Sequence, residues 1–188
     1  MSDGEAGGFE FASSEDIQRE VGRMAGEVVA RWPGELVVVG IRRRGVPVGE
    51  MLTERLEGSR GELLAVQELE LKRYSDELEI LHQQPALKEP EEPMELADRR
   101  VLLVDDVCYT GRTLARALEY VTDAGAAEVR CAVLCVRRGN ELPVEPGVVG
   151  FRCDVGDGGI VDVRIPPYED HLAIEVRRKK PKAADSSR

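Results

Sequence analysis

The order of apolar and polar residues along the chain predicts helices alternating with strands. Residues 13–32, SSEDIQREVGRMAGEVVARW, put Ile17, Val21, Met24, Val28 and Trp32 on one stripe at helical spacing. Ser13 or Ser14 caps this helix, and its early acids sit at the positive end of the helix dipole. Trp32-Pro33-Gly34 ends it. Residues 35–41, ELVVVGI, form a continuous apolar run that suits a strand buried on both faces. After Arg42 to Gly45, the segment VPVGEMLTERLEG reads as a second helix with Gly58 past its end. Partial alternation of Leu64, Val66, Leu69 and Leu71 suggests a strand within 61–74. Residues 75–98 are polar and carry Pro85, Pro90 and Pro93, so they form a long loop or two weak strands flanking one. RVLLVDD, 100–106, is the next buried strand; 112–124 is a helix; VRCAVLCVRR, 129–138, is another strand. GVVGF, GIVDVRI and HLAIEV are shorter apolar stretches in a region rich in Gly and Pro, and no internal repeat is visible.

This alternation implies an α/β fold, a mostly parallel twisted sheet flanked by helices. In such sheets ligands bind beyond the carboxyl ends of the strands. Three of these ends carry unusual chemistry: Arg42 to Gly45, Asp105 to Thr113, and Arg137 to Asn140. The second is the most specific. Thr110, Gly111, Arg112 and Thr113 open a helix, where unpaired N–H groups and the dipole favour an anion. Gly111 allows close backbone approach, and the two threonine hydroxyls add donors. It is a cradle for a phosphate monoester but not the Walker pattern, since no Gly-x-x-x-x-Gly-Lys-Ser/Thr is present. Asp105 and Asp106 just before it repel phosphate but accept hydrogen bonds from hydroxyls. A vicinal diol beside a phosphate, as in a sugar 5-phosphate, satisfies both parts. The same pair suits a divalent cation, held through water or ligand oxygens. Taken alone, the Asp pair reads as an acidic strand end; with the turn and helix it reads as a ligand site.

Composition narrows the picture. The 188 residues suit one domain, and 42% hydrophobic with 33% charged residues suits a globular chain. Only 4% are aromatic, so an aliphatic core is expected. A net charge of −10 argues against broad charge-driven nucleic-acid binding, while leaving room for a local basic patch. Cys108, Cys131, Cys135 and Cys153 lack paired Cys-x-x-Cys spacing, which argues against zinc and against a disulfide framework. No apolar run reaches membrane-spanning length and the acidic N-terminus is not a signal peptide, so a reducing cytoplasm and no membrane partner are expected. Residues 1–12 are expected to be a flexible leader, 13–176 the folded domain, and 177–188 a basic, disordered tail.

VLLVDDVCYTGRT resembles the phosphoribosyl-diphosphate (PRPP) signature of type I phosphoribosyltransferases. Tyr109-Thr110-Gly111-Arg112-Thr113 resembles one branch of them, the bifunctional pyrimidine-operon attenuation regulators and uracil phosphoribosyltransferases. VVVGIRRRGVPVGEMLTERL is similar to that family's first strand, pyrophosphate loop and helix; VQELELKRYSDEL to its entry into a flexible loop; RRGNELPVEPGVVG to its nucleobase loop. The resemblance spans roughly residues 14–152. It implies the type I fold with a flexible lid loop over about 72–95. It also implies transfer of a phosphoribosyl group from PRPP to a nucleobase with Mg2+, the best match being uracil giving UMP and pyrophosphate. Carried over residue by residue, it assigns the 5-phosphate to Cys108, Tyr109, Thr110, Gly111, Arg112 and Thr113. Pyrophosphate falls to Arg42, Arg43, Arg44 and Gly45, in a loop of unusual peptide geometry. The base falls to Val136, Arg137, Arg138, Gly139 and Asn140, and catalysis to Asp105, Asp106, Arg44 and Arg73. Asp105 and Asp106 hold the metal indirectly. The implied partners are PRPP, a nucleobase, UMP as product or effector, messenger RNA, and further copies of the chain in a homo-oligomer.

Several positions depart from the family pattern. Arg43 replaces a threonine, and Arg73 precedes Tyr74 where the family has the reverse order. In the base loop Arg137 stands where the family has an acid, one residue is missing, and the histidine is absent. Phe151 and Arg152 replace a Lys-Asn pair; Phe151 suits either stacking on a base or the core. His82 and His171 read as surface and structural residues. These departures keep two alternatives open: a PRPP- or nucleotide-sensing regulator with little turnover, and a transferase for another base such as a purine.

Overall fold

The computed structural model describes residues 8–60, 65–70, 94–138, 144–156 and 159–178. The main body is a five-stranded, all-parallel sheet in the order β3-β2-β4-β5-β6. Its strands are β2 (Val37–Ile41), β3 (Val66–Leu69), β4 (Arg100–Cys108), β5 (Glu128–Arg137) and β6 (Val148–Cys153). All five residues of β2 are buried, as a central strand covered on both faces must be. Alternate side chains then feed two separate cores. Val38, Leu102, Val104, Ala132 and Leu134 pack under helices α1 (Ser14–Arg31) and α2 (Gly45–Arg60). Val39, Val101, Leu103 and Val133 pack under α3 (Arg112–Asp123) with Leu114, Ala117 and Val121. Both cores are aliphatic, as the composition requires.

Helix α1 begins with a capping box. The Ser13 hydroxyl accepts from the Asp16 amide at 3.3 Å, and the Asp16 carboxylate accepts from the Ser13 amide at 3.1 Å. Along its outer side Arg23 and Arg31 donate to the Val149 and Gly147 carbonyls, at 2.5 and 2.8 Å, and tie α1 to β6.

Four boundaries differ from the sequence reading. β4 continues through both aspartates to Cys108, because Val107 and Cys108 still pair with Cys135 and Val136 of β5. Gly58 lies inside α2 rather than past its end; nothing crowds it, and a helical glycine costs only about 1 kcal/mol. Phe9–Ala12 of the expected leader form β1, and Arg177 and Arg178 of the expected tail belong to β8 (Ala173–Arg178), while residues 1–7 and 179–188 lie outside the described residues. These strands and β7 (Gly159–Arg164) form a second, antiparallel sheet in the order β1-β8-β7. Val163, Ile174 and Val176 anchor this cap in the core beneath α1 and α2. The lid expected over 72–95 lies outside the described residues except for Met94 and Glu95, which lead to the fully buried Leu96.

Candidate functional site

The carboxyl ends of β2 and β4 and the cap enclose a cleft of about 910 Å³. Its floor is the start of the β2–α2 loop. A Cβ on Gly45 would lie 2.6 Å from the Val104 carbonyl oxygen and 3.1 Å from the Asp105 Cα, so only glycine lets this loop rest on β4. The Arg42–Arg43 peptide is cis, an unusual geometry of the kind the resemblance implied. The three arginines diverge. Arg42 reaches Glu68 at 3.3 Å and Glu70 at 3.6 Å on the β3 side. The Arg43 guanidinium lies over the Tyr168 ring, 4.8 Å from its centroid. Arg44 turns into the cap, where Nη2 and Nε donate to the Glu169 carboxylate and Nη1 lies 3.5 Å from Asp162. This pairing holds the Glu169 carboxyl below the usual range and lifts Arg44 above its own.

The end of β4 supplies the opposite chemistry. Asp105 is buried, 6% exposed, and its Oδ1 accepts from the Asp106 amide at 2.9 Å. Burial pushes the Asp106 carboxyl up, with its hydrogen bonds and the Arg44 charge opposing. Tyr109 and Thr110 then turn the chain, and Gly111 takes φ 79° as the N-cap of α3. Gly111 supplies no side-chain cap, and the Arg112 amide reaches the Thr110 hydroxyl at 3.4 Å, at the positive end of the helix dipole. Cys108, Tyr109, Thr110, Gly111 and Thr113 line the cleft with Asp105 and Asp106; Arg112, exposed, does not. The Cys108 thiol is buried in the α3-side core, and burial raises it.

The end of β5 is only partly described. Val136 is buried in the core. The Arg137 guanidinium stacks on Tyr109, 3.7 Å from the ring centroid, and its buried Nε has no hydrogen-bond partner. Arg138 pairs with Asp154 at 2.9 Å, and its amide donates to the Cys153 carbonyl at 3.1 Å. Gly139, Asn140 and Arg73 lie outside the described residues. Phe151 meets the edge of Phe11, 6.0 Å between centroids, and packs on the core rather than lining the cleft. His171 is a surface residue bound to Asp170 at 2.5 Å.

The structure thus brings Arg42, Arg43 and Arg44 together with Asp105, Asp106 and the 108–113 turn. The sequence reading missed the cap's contribution: Val161, Asp162, Val163 and Tyr168 line the cleft too. Among the described residues no group of three or more His, Cys, Asp or Glu is placed to hold a metal. Two adjacent carboxylates at the cleft, one of them raised by burial, nevertheless fit Mg2+. This ion is ordinarily held by one or two carboxylates plus the oxygens of a phosphate ligand.

The sequence pattern of the phosphoribosyl transferase domain family matches residues 10–166. The bifunctional protein PyrR of Deinococcus radiodurans is 37% identical over 167 residues, covering 87% of this chain and 91% of that protein. The PyrR of Acetivibrio thermocellus is 34% identical over 159 residues, covering 83% and 86%. Among solved structures, a hypoxanthine phosphoribosyl transferase from Trypanosoma cruzi superposes with a TM-score of 0.74 over 95% of both chains at 15% identity, a likeness of fold. A purine phosphoribosyltransferase from Pyrococcus horikoshii gives a TM-score of 0.59 at 26% identity, covering 75% of this chain and 85% of that one.

Proposed function

Because the chain belongs to the phosphoribosyl transferase family, in the branch of the bifunctional PyrR proteins, we propose that it transfers the phosphoribosyl group of PRPP to uracil, giving UMP and pyrophosphate. One observation carries this reading: a buried and a half-buried carboxylate share a cleft with the start of a helix and an arginine loop, so groups suited to hydroxyls, a phosphate and pyrophosphate lie side by side.

Each region has a task in this reaction. The first amides of α3, with the Thr110 and Thr113 hydroxyls, bind the 5-phosphate. Asp105 and Asp106 accept hydrogen bonds from the ribose hydroxyls and turn C1 toward the base. The β2–α2 loop receives the pyrophosphate through its peptide groups and Arg43, stabilising negative charge as the C1–O bond lengthens. Asp105 and Asp106 would hold Mg2+, which would supply further charge stabilisation at the leaving group when bound. The base sits against the β5 end, Val136 to Asn140, and Arg73 with the rest of 72–95 excludes water from the loaded site. The setting is cytoplasmic, and the working form is a homo-oligomer whose RNA binding responds to UMP.

A second reading, a transferase for another base, is favoured by Arg137. It puts a positive charge where the family pattern has an acid, and it is held against the Tyr109 ring. A panel of bases with PRPP and Mg2+, followed by pyrophosphate release, decides between the two. Uracil is expected to be the preferred acceptor. Preference for hypoxanthine or guanine selects the second reading, and failure to release pyrophosphate with any of the bases selects a PRPP sensor. Filter binding across salt, with and without UMP, tests the RNA role; binding that vanishes near physiological salt and ignores UMP rejects it.

A further inference from the structure

We infer that the cap turn carrying Tyr168 and Glu169 is a positioning clamp for the pyrophosphate loop, with Glu169 acting through Arg44. The inference rests on the assignment of that loop to the leaving group, and it assigns work to residues outside the PRPP signature.

Two consecutive residues of the turn hold two consecutive arginines of the loop. Tyr168 lies under the Arg43 guanidinium at 4.8 Å, and Glu169 takes Arg44 through two nitrogens. Such a fork on a carboxylate fixes orientation as well as distance. Glu169 is itself anchored, since its Oε2 accepts from the Ile165 amide at 3.0 Å. Asp162 on β7 adds a second carboxylate to Arg44, and it also takes Arg164 and Arg177, each at 3.4 Å. The Arg44–Glu169 pair is shielded, with side chains 33% and 13% exposed, so it escapes the weakness of fully solvated ion pairs.

The contacts join 125 residues of sequence separation and leave Arg44 committed to the cap. Its charge is therefore matched before any ligand arrives, and its contribution to pyrophosphate binding is to fix the loop. Gly45 presses on Val104 and Asp105, so a shift of Arg44 would move both the loop and the carboxylate beside it. Small displacements of this kind cost large factors in reaction rate or binding.

The test compares Glu169→Gln, Glu169→Asp and Tyr168→Phe with the natural protein. The readouts are kcat, the KM for PRPP, the KM for the base, and the inhibition constant of pyrophosphate. For Glu169→Gln we expect the PRPP KM and the pyrophosphate constant to rise together by about tenfold. The base KM should change less than twofold, Glu169→Asp should recover part of the loss, and Tyr168→Phe, which keeps the ring under Arg43, should raise the two constants less than Glu169→Gln does. A fall in both constants would mean that Glu169 competes with pyrophosphate for Arg44, and would overturn the clamp. Unchanged constants, with or without a lower Tm, would overturn it equally. Calorimetric titration with Mg2+-PRPP in the absence of base reads the same change even where no base turns over. A failed base assignment is therefore distinguishable from a failed clamp.

Discussion

The loops that follow β2 and β4 stand side by side in one sheet and solve opposite problems. The β2 loop is rich in cations, yet each arginine is already engaged: Arg42 with Glu68 and Glu70, Arg43 with Tyr168, Arg44 with Glu169 and Asp162. The β4 turn has no lysine at all, and its anion-binding chemistry lies in the start of α3, where Gly111 gives no side-chain cap. A visiting anion therefore meets Arg42 and Arg44 already paired with carboxylates and Arg43 on a ring face at the first loop, and the positive end of a helix at the second. The lesson is that a count of arginines does not measure an anion site; what each guanidinium is already paired with decides what it can add.

The sharpest way to break this comparison is at the carboxylates between the two loops. Asp105→Asn plus Asp106→Asn should lower kcat/KM by a factor on the order of 10³ or more with circular dichroism unchanged; full activity would refute the sugar-binding role. Gly45→Ala should follow, with loss of about 1–3 kcal/mol of stability from overpacking and roughly a hundredfold in rate from the moved loop, read by denaturant melts and pyrophosphate release. Retained rate with the stability loss would show that the loop's position is not what matters. Gly111→Ala should cost about 1–2 kcal/mol through its left-handed backbone and raise the PRPP KM. Arg42→Ala, a change at a side chain turned away toward half-exposed acids, should cost less than about 1 kcal/mol; a larger effect on PRPP binding would make Arg42 a direct ligand.

Asp106 offers a smaller but cleaner test. Burial raises its folded-state pKa above its unfolded one. Between those two values the folded protein keeps a proton that the unfolded chain has lost, so stability falls as pH rises through that window. Asp106→Asn should remove the loss. Its Tm should match the natural protein below the window and exceed it at neutral pH, a gain in stability at the cost of function. Equal Tm values at neutral pH would show that the aspartate is not held against its ionisation.

Legibility in the sequence tracked the range of the contacts. β2, β4 and β5 are contiguous apolar runs, α1 announces itself with Ser13 and Asp16, and the 105–113 unit is chemistry packed into nine successive residues. The cap could not be read in this way. β1 is four residues long with three exposed, and its partner β8 lies at the far end of the described chain. GIVDVRI and HLAIEV stood out as apolar, but nothing local says that they pair with each other and with Phe9–Ala12. For the same reason Arg44 read as a pyrophosphate ligand with no hint of its partner in the cap, since Glu169 is remote in sequence. Gly58 misled because glycine usually ends helices, whereas here it faces open space and is tolerated.

The pairing of β1 with β8 has a consequence for how the molecule is made. A nascent chain emerging from the ribosome can assemble the parallel sheet once β6 has appeared, and so possesses its acids and its arginine loop early. The roof over them waits for β8 to be translated, at which point β1, made far earlier, must still be available to receive it. The cap over the cleft would then be completed late, when two strands distant in sequence meet.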